Sequence, residues 1–122
     1  MAFLHTAINV ADADESVAFY EQFGFEESTS FFKDGGKTEN RYVADDEGVE
    51  LQFVDTEGDE EFEQGTAWNH LAVEVDDVDA ALEEIEHYGL DEGPTDVEPV
   101  SARVAFVRDP DGHSVELVQK LE

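Results

Sequence analysis

Residues 70–78 read His-Leu-Ala-Val-Glu-Val-Asp-Asp-Val, and residues 5–12 read His-Thr-Ala-Ile-Asn-Val-Ala-Asp. Each stretch opens on a histidine, alternates apolar and polar positions as a half-buried strand does, and leads into aspartates at the start of a predicted helix. His5 and His70, Val10 and Val75, and Asp12 and Asp77 are all separated by 65 positions, and so are the helix-stopping glycines Gly24 and Gly89. Near the ends of the two halves Val49-Glu50-Leu51 and Val115-Glu116-Leu117 match at an offset of 66, which one inserted residue explains. The chain is therefore an internal repeat. A lone unit of that size would bury only about 60% of its unfolded surface and be marginal, so two copies are expected to pack as one domain or pair across a dimer.

Working outward from the first copy, residues 3–10 are predicted as a strand, with Leu4, Thr6, Ile8 and Val10 on one side and Phe3, His5, Ala7 and Asn9 on the other. Asp12 to Phe23 reads as a helix that Asp12 or Asp14 can cap, with a stripe of Ala13, Val17, Tyr20 and Phe23. Three strands follow at about 25–33, 38–44 and 49–54, joined by Asp34-Gly35-Gly36 and Asp45-Asp46-Glu47-Gly48, both suited to hairpin turns. Residues 55–65 are acidic and aperiodic, and read as a linker. The second copy is predicted to run through a strand at 68–75 and a helix at 77–88 whose stripe is Val78, Ala81, Leu82, Ile85 and Tyr88. It continues through a short extended piece at 95–97 and strands at 102–108 and 113–120 around the turn Asp109-Pro110-Asp111-Gly112. The fold class is α+β: two βαβββ modules in tandem, module one about 1–58 and module two about 66–122.

The chain has 122 residues, 6 Lys plus Arg against 33 Asp plus Glu, and a formal net charge of −27. Such a surface repels phosphate, which excludes nucleic acid as a main partner, and it disfavours anionic membranes. No apolar run is long enough to span a bilayer. The start Met1-Ala2-Phe3-Leu4-His5 lacks the basic-then-apolar pattern of a secretory signal, so a cytoplasmic location is expected. With no cysteine there is no disulfide, thiolate site or thiol nucleophile. The 40% apolar content and nine phenylalanines are core material. The acidity therefore reads as adaptation to concentrated salt, where a Debye length of roughly 3 Å at 1 M screens self-repulsion, as in halophile proteins.

In that background single acids carry little information. What stands out is one histidine and one strand glutamate per copy: His5 with Glu50, and His70 with Glu116. Two imidazoles and two carboxylates converging on one point would suit a borderline divalent ion such as Ni²⁺, Co²⁺, Zn²⁺ or Fe²⁺ better than Ca²⁺. His87 reads as a surface residue and His113 as the start of a strand. Phe31, Phe32 and Trp68 read as core or dimer contacts.

The βαβββ order, His5-Thr6, Gly65-Thr66-Ala67-Trp68-Asn69-His70 and Asp109-Pro110-Asp111-Gly112-His113-Ser114-Val115-Glu116-Leu117 resemble the vicinal oxygen chelate superfamily, the glyoxalase/bleomycin-resistance/dioxygenase-like fold. Within it the sequence is most similar to the glyoxalase I (lactoylglutathione lyase) family, over essentially the whole chain. The resemblance implies a single domain whose sheets curve around a metal site, with His5, Glu50, His70 and Glu116 as ligands of one divalent ion (Ni, Co or Zn) per site. It further implies isomerisation of the hemithioacetal of methylglyoxal and a small thiol to a lactoyl thioester, through an enediolate that the cation stabilises. Glu116 would be the catalytic base, with Glu50 its counterpart, and the protein a homodimer sharing its sites.

Around this core the chain departs from the family pattern. Asn9 stands where an arginine is expected, Val54 where an asparagine is expected, and the loop before Ala102 lacks a lysine. Arg41, Arg103, Asn9 and Trp68 are the substitutes available for holding substrate, and γ-glutamylcysteine is an alternative thiol to glutathione. The competing readings are another metalloenzyme of the superfamily, of the epimerase or dioxygenase type, and a non-catalytic small-molecule binder. The epimerases usually carry Gln at the first metal glutamate, and a three-ligand iron dioxygenase has no need of Glu50.

Overall fold

The computed structural model describes all 122 residues, which form two compact units, Met1–Glu63 and Gln64–Glu122. In the first unit the chain runs β1 (His5–Asn9), α1 (Ala13–Glu21), β2 (Glu26–Lys33), β3 (Thr38–Ala44) and β4 (Glu50–Thr56). These strands make one sheet of order β1-β4-β3-β2. β1 is parallel to β4 and the other neighbours are antiparallel. Asp12 caps α1, its Oδ1 accepting from the N–H groups of Asp14 and Glu15 at 3.0 and 3.3 Å. Alternation then assigns the faces. Ile8, Val10, Val43, Leu51 and Phe53 are buried, and Tyr20 of α1 stacks on Phe53 at 5.4 Å. Burying a side chain such as Phe53 is worth about 1.5–3 kcal/mol. The opposite face carries His5, Ala7, Asn9, Glu50, Gln52 and Val54.

The second unit repeats the plan with β5 (Leu71–Glu74), α2 (Val78–Glu84), β6 (Leu90–Val97), a 3₁₀ turn (Glu98–Val100), β7 (Ala102–Arg108) and β8 (Ser114–Lys120). Its sheet has the order β5-β8-β7-β6. Asp77 caps α2 through the Ala80 N–H at 3.0 Å, and the Gln119 side chain accepts from the Val78 N–H at 2.9 Å, tying the helix start to β8. The two-module α+β plan predicted from the repeat is the observed one.

Several boundaries differ from the sequence reading. α2 stops at Glu84, four residues short of Tyr88, because Ile85 turns to extended backbone and the Tyr88 N–H donates to the Arg108 carbonyl at 3.0 Å. Tyr88 is consequently 55% exposed rather than part of a buried stripe. The extended piece expected at 95–97 is an eight-residue strand, β6, that pairs with β7 through two irregularities. Gly93 permits that pairing: its φ is +87°, and a Cβ there would lie 2.5 Å from the Val104 carbonyl oxygen. The strand expected from Trp68 begins only at Leu71. Phe31 and Phe32 lie on the exposed edge strand β2, 46% and 62% accessible, and are not core residues. No helix is long and apolar enough to cross a membrane.

Candidate metal centre

In module one, β1 and β4 run parallel with His5 beside Glu50, Ala7 beside Gln52 and Asn9 beside Val54. Across β4, Glu50 faces Ala44, Gln52 faces Tyr42 and Val54 faces Asn40. One face thus presents His5, Glu50, Gln52, Asn9, Tyr42 and Asn40. The His5 ring meets Tyr42 edge-on at 5.4 Å. The Glu50 Oε2 accepts a hydrogen bond from the Ser28 hydroxyl at 2.9 Å. Gln52 donates its Nε2 to Asn40 Oδ1 at 2.8 Å, while Asn40 Nδ2 is buried without a partner.

Module two places His70 just before β5 and Glu116 in β8, where Glu116 faces Ala72 on one side and Phe106 on the other. The His70 ring meets Phe106 edge-on at 5.2 Å, the counterpart of the His5–Tyr42 contact. Its Nε2 lies 3.0 Å from Glu116 Oε1, with 30% and 20% of the two side chains exposed. Its Nδ1 lies against Asn69 Oδ1 at 2.5 Å. Both ring nitrogens therefore face oxygen acceptors. The tautomer with its proton on Nδ1 leaves Nε2 able to ligate a cation beside the Glu116 carboxylate. The donor set, imidazole plus carboxylate in each module, fits a divalent metal of the borderline class.

Strand pairing also revises the repeat arithmetic. Tyr42 and Phe106, Gln52 and Glu116, and Glu50 and Ser114 hold equivalent rungs, all 64 positions apart. Glu50 and Glu116 are repeat mates by sequence but sit two residues out of step. Since side chains alternate with a period of two, a slip of two keeps both carboxylates on the histidine-bearing face of their sheets. The slip was available in the sequence. Gly48 precedes Glu50 by two residues, whereas Gly112 precedes Glu116 by four.

The arginines advanced as substrate contacts face the other way. Arg41 alternates with Tyr42 and is held by Asp14 of α1 at 2.6 Å and by Glu27. Burial of its stem works against the charge, but the bonds to Asp14 and Glu27 outweigh it and raise its pKa above the ordinary arginine value. Arg103 is held by Asp79 of α2 at 2.8 Å and Asp96 at 2.9 Å, and its hydrogen bond lowers the Asp79 pKa. The two are equivalent clamps between helix and sheet. Asn9 is exposed at the end of β1, on the His5 face. Trp68 is half-buried, its ring edge-on to His113 at 6.4 Å and its Nε1 without a partner. The Nδ1 of His87 accepts from the Gly89 N–H at 3.2 Å, a local bond at the helix exit.

A second group, Asp109, Asp111 and His113, brings its ligand atoms within 4.8 Å of one another. Asp109 Oδ1 accepts from the backbone N–H groups of Asp111 and His113 at 3.0 and 2.8 Å, and both its oxygens face His113 Nδ1. These bonds make it a clamp on the β7–β8 turn. Burial opposes charging of His113, but the hydrogen bond and charge of Asp109, aided by Asp111, prevail and raise the imidazole pKa. Sequence reasoning missed this clamp, and it missed the Ser28 and Asn69 bonds. Asn69 was visible as the neighbour of His70, whereas nothing in the sequence singles out Ser28.

Comparison with known proteins completes the picture. The family described as Glyoxalase/Bleomycin resistance protein/Dioxygenase superfamily matches residues 2–117. A probable lactoylglutathione lyase of Vibrio cholerae is 31% identical over 125 residues, covering 95% of this chain and 88% of its own length. Among solved structures, glyoxalase I from Zea mays superposes with a TM-score of 0.84 at 25% identity, covering 98% of this chain. This chain spans only 44% of the maize protein's length. An antibiotic binding protein from Streptomyces superposes with a TM-score of 0.69 at 25% identity, covering 98% of this chain and 97% of its own.

Proposed function

This chain belongs to the glyoxalase/bleomycin resistance protein/dioxygenase superfamily, and on that premise we propose that it is a metal-dependent glyoxalase I. Its reaction would isomerise the hemithioacetal of methylglyoxal and a small thiol to the lactoyl thioester. The observation carrying the proposal is the donor pair of module two, His70 Nε2 facing Glu116 Oε1 at 3.0 Å with Asn69 at the other ring nitrogen. Module one supplies a second histidine and glutamate, paired side by side. His5, Glu50, His70 and Glu116 would hold one divalent ion, each module contributing two donors in a homodimer with shared sites. When bound, the cation supplies Lewis-acid stabilisation of the negative charge that develops on the two vicinal oxygens, worth several kcal/mol. Glu116 acts as the base: it takes the proton from C1 and returns it to C2, while the C1 hydroxyl proton passes to the C2 oxygen, so no net proton is consumed. The neutral imidazoles of His5 and His70 stay in place as ligands.

With Arg41 and Arg103 committed to their helices, the part of the site that grips the thiol differs from an arginine-based one. Glutathione and γ-glutamylcysteine are the two thiols to compare. That same commitment, with the likeness to an antibiotic binding protein, favours as second reading a binder that holds a small molecule without turning it over. The deciding test is lactoyl-thioester formation from methylglyoxal with each thiol and with Ni²⁺, Co²⁺ or Zn²⁺, at dilute and molar salt. Metal-dependent turnover with at least one thiol is expected. A metal-loaded protein that turns over neither would leave the binder.

A further inference from the structure

We propose that Ser28 is a positioning residue that fixes Glu50 as the stationary carboxylate and leaves Glu116 as the one free to move. The inference rests on the reading of both glutamates as metal ligands, and it comes from how differently the two modules restrain them. Pairing between β2 and β3 slips between Glu27 and Thr29, so Ser28 is the extra residue of a bulge. Bulges re-aim side chains, and here Glu27 is directed to Arg41 while the Ser28 hydroxyl reaches Glu50 Oε2 at 2.9 Å. β3 lies between the two strands, and its residue opposite Glu50 is Ala44, small enough for the carboxylate to pass over. One oxygen of Glu50 is thereby anchored to the sheet edge and the other is left for a ligand.

Module two offers no such anchor. The residue opposite Glu116 on β7 is the bulky Phe106, where module one has Ala44. Glu116 is met only by the His70 ring. A carboxylate that must leave a cation, collect a proton and return needs that freedom. A carboxylate whose duty is to keep the cation in place gains from the tether, since the partners of metal ligands typically govern affinity by about 10–100-fold.

The test uses the full chain and Co²⁺. Affinity is read by chelator competition from the visible absorption of the bound ion, and kcat is measured alongside. Ser28→Ala is expected to weaken Co²⁺ binding about tenfold, and Ser28→Thr, which keeps the hydroxyl, to restore most of it. Ser28 is exposed, so thermal midpoints should stay unchanged and separate a lost tether from a lost fold. Glu50→Gln distinguishes the two ways of failing. If it weakens binding while Ser28→Ala matches wild type within about twofold, the tether is wrong and Glu50 remains a ligand. If neither variant weakens binding, or the wild type binds no Co²⁺, both readings fall.

Discussion

The two modules share a plan yet differ where the chemistry is expected. Each sets a histidine edge-on to an aromatic residue, Tyr42 in one and Phe106 in the other. Each also ties its helix to its sheet with an arginine, Arg41 or Arg103. The carboxylates part company. Glu50 lies level with His5 and is anchored by Ser28, whereas Glu116 lies two residues out of step and reaches back to His70. Duplication therefore preserved what builds a module, the caps, the clamps and the aromatic rests. What diverged is the restraint on each glutamate, and the proposed division between a binding and a working carboxylate requires that inequality.

The largest effect should come from exchanging the two roles. Glu116→Gln removes the proposed base and is expected to lower turnover by about 10²–10⁴, with metal uptake retained. Glu50→Gln should show first as lost metal affinity, with turnover recovering at high metal concentration. Kinetics and metal titration on both variants check this, and indistinguishable behaviour would erase the difference between the modules.

A second comparison concerns backbone. Gly93 of module two and Gly36 of module one have nearly the same φ, +87° and +88°, yet only Gly93 has a neighbour in the way, the Val104 carbonyl oxygen at 2.5 Å from a built Cβ. Gly36→Ala should cost only the left-handed conformation, about 1–2 kcal/mol. Gly93→Ala should cost that plus the displacement of β7, and chemical denaturation would show the larger loss. Equal losses would mean that β6 yields freely.

The smallest effect is a pH dependence confined to module two, which alone has a His113–Asp109 clamp. Interactions in the fold raise the His113 pKa above 6.5. Its stabilising contribution is therefore fully present below about pH 6.5 and is lost as pH rises through the folded value. The melting-temperature gap between wild type and His113→Asn should be widest near about pH 5.5 and narrow by about pH 9. A gap that widens with pH would contradict the charged clamp.

How much of this the sequence disclosed follows from which forces act locally. Asp12 and Asp77, 65 positions apart, and the two His/Glu pairs, at offsets of 65 and 66, were legible as repeats. The end of α2 was not legible. Ile85 and Tyr88 continue a helical period, and it is the Tyr88 bond to the Arg108 carbonyl that draws the chain away. β6 was largely hidden because Leu90–Val97 contains Gly93, Pro94 and three acids and does not alternate; its partner β7 makes it a strand. Phe31 and Phe32 read as core or dimer contacts, and edge position leaves them out of the core. Of the candidate centre, the His and Glu of each module were readable as candidates, and module two does bring His70 beside Glu116. The Ser28 bond was not readable, since it depends on a bulge and on the small side chain of Ala44 between two strands.

Everything proposed for the reaction depends on donors from both modules meeting at one cation. Co²⁺ titration of wild type, His5→Gln and His70→Gln, followed by visible absorption, tests this directly. One ion per chain is expected for the wild type, with affinity lowered by about tenfold or more in each variant, since each removes a proposed ligand. A His5→Gln protein that binds Co²⁺ as the wild type does, with the same spectrum, would show that module two works without module one and would contradict the shared centre.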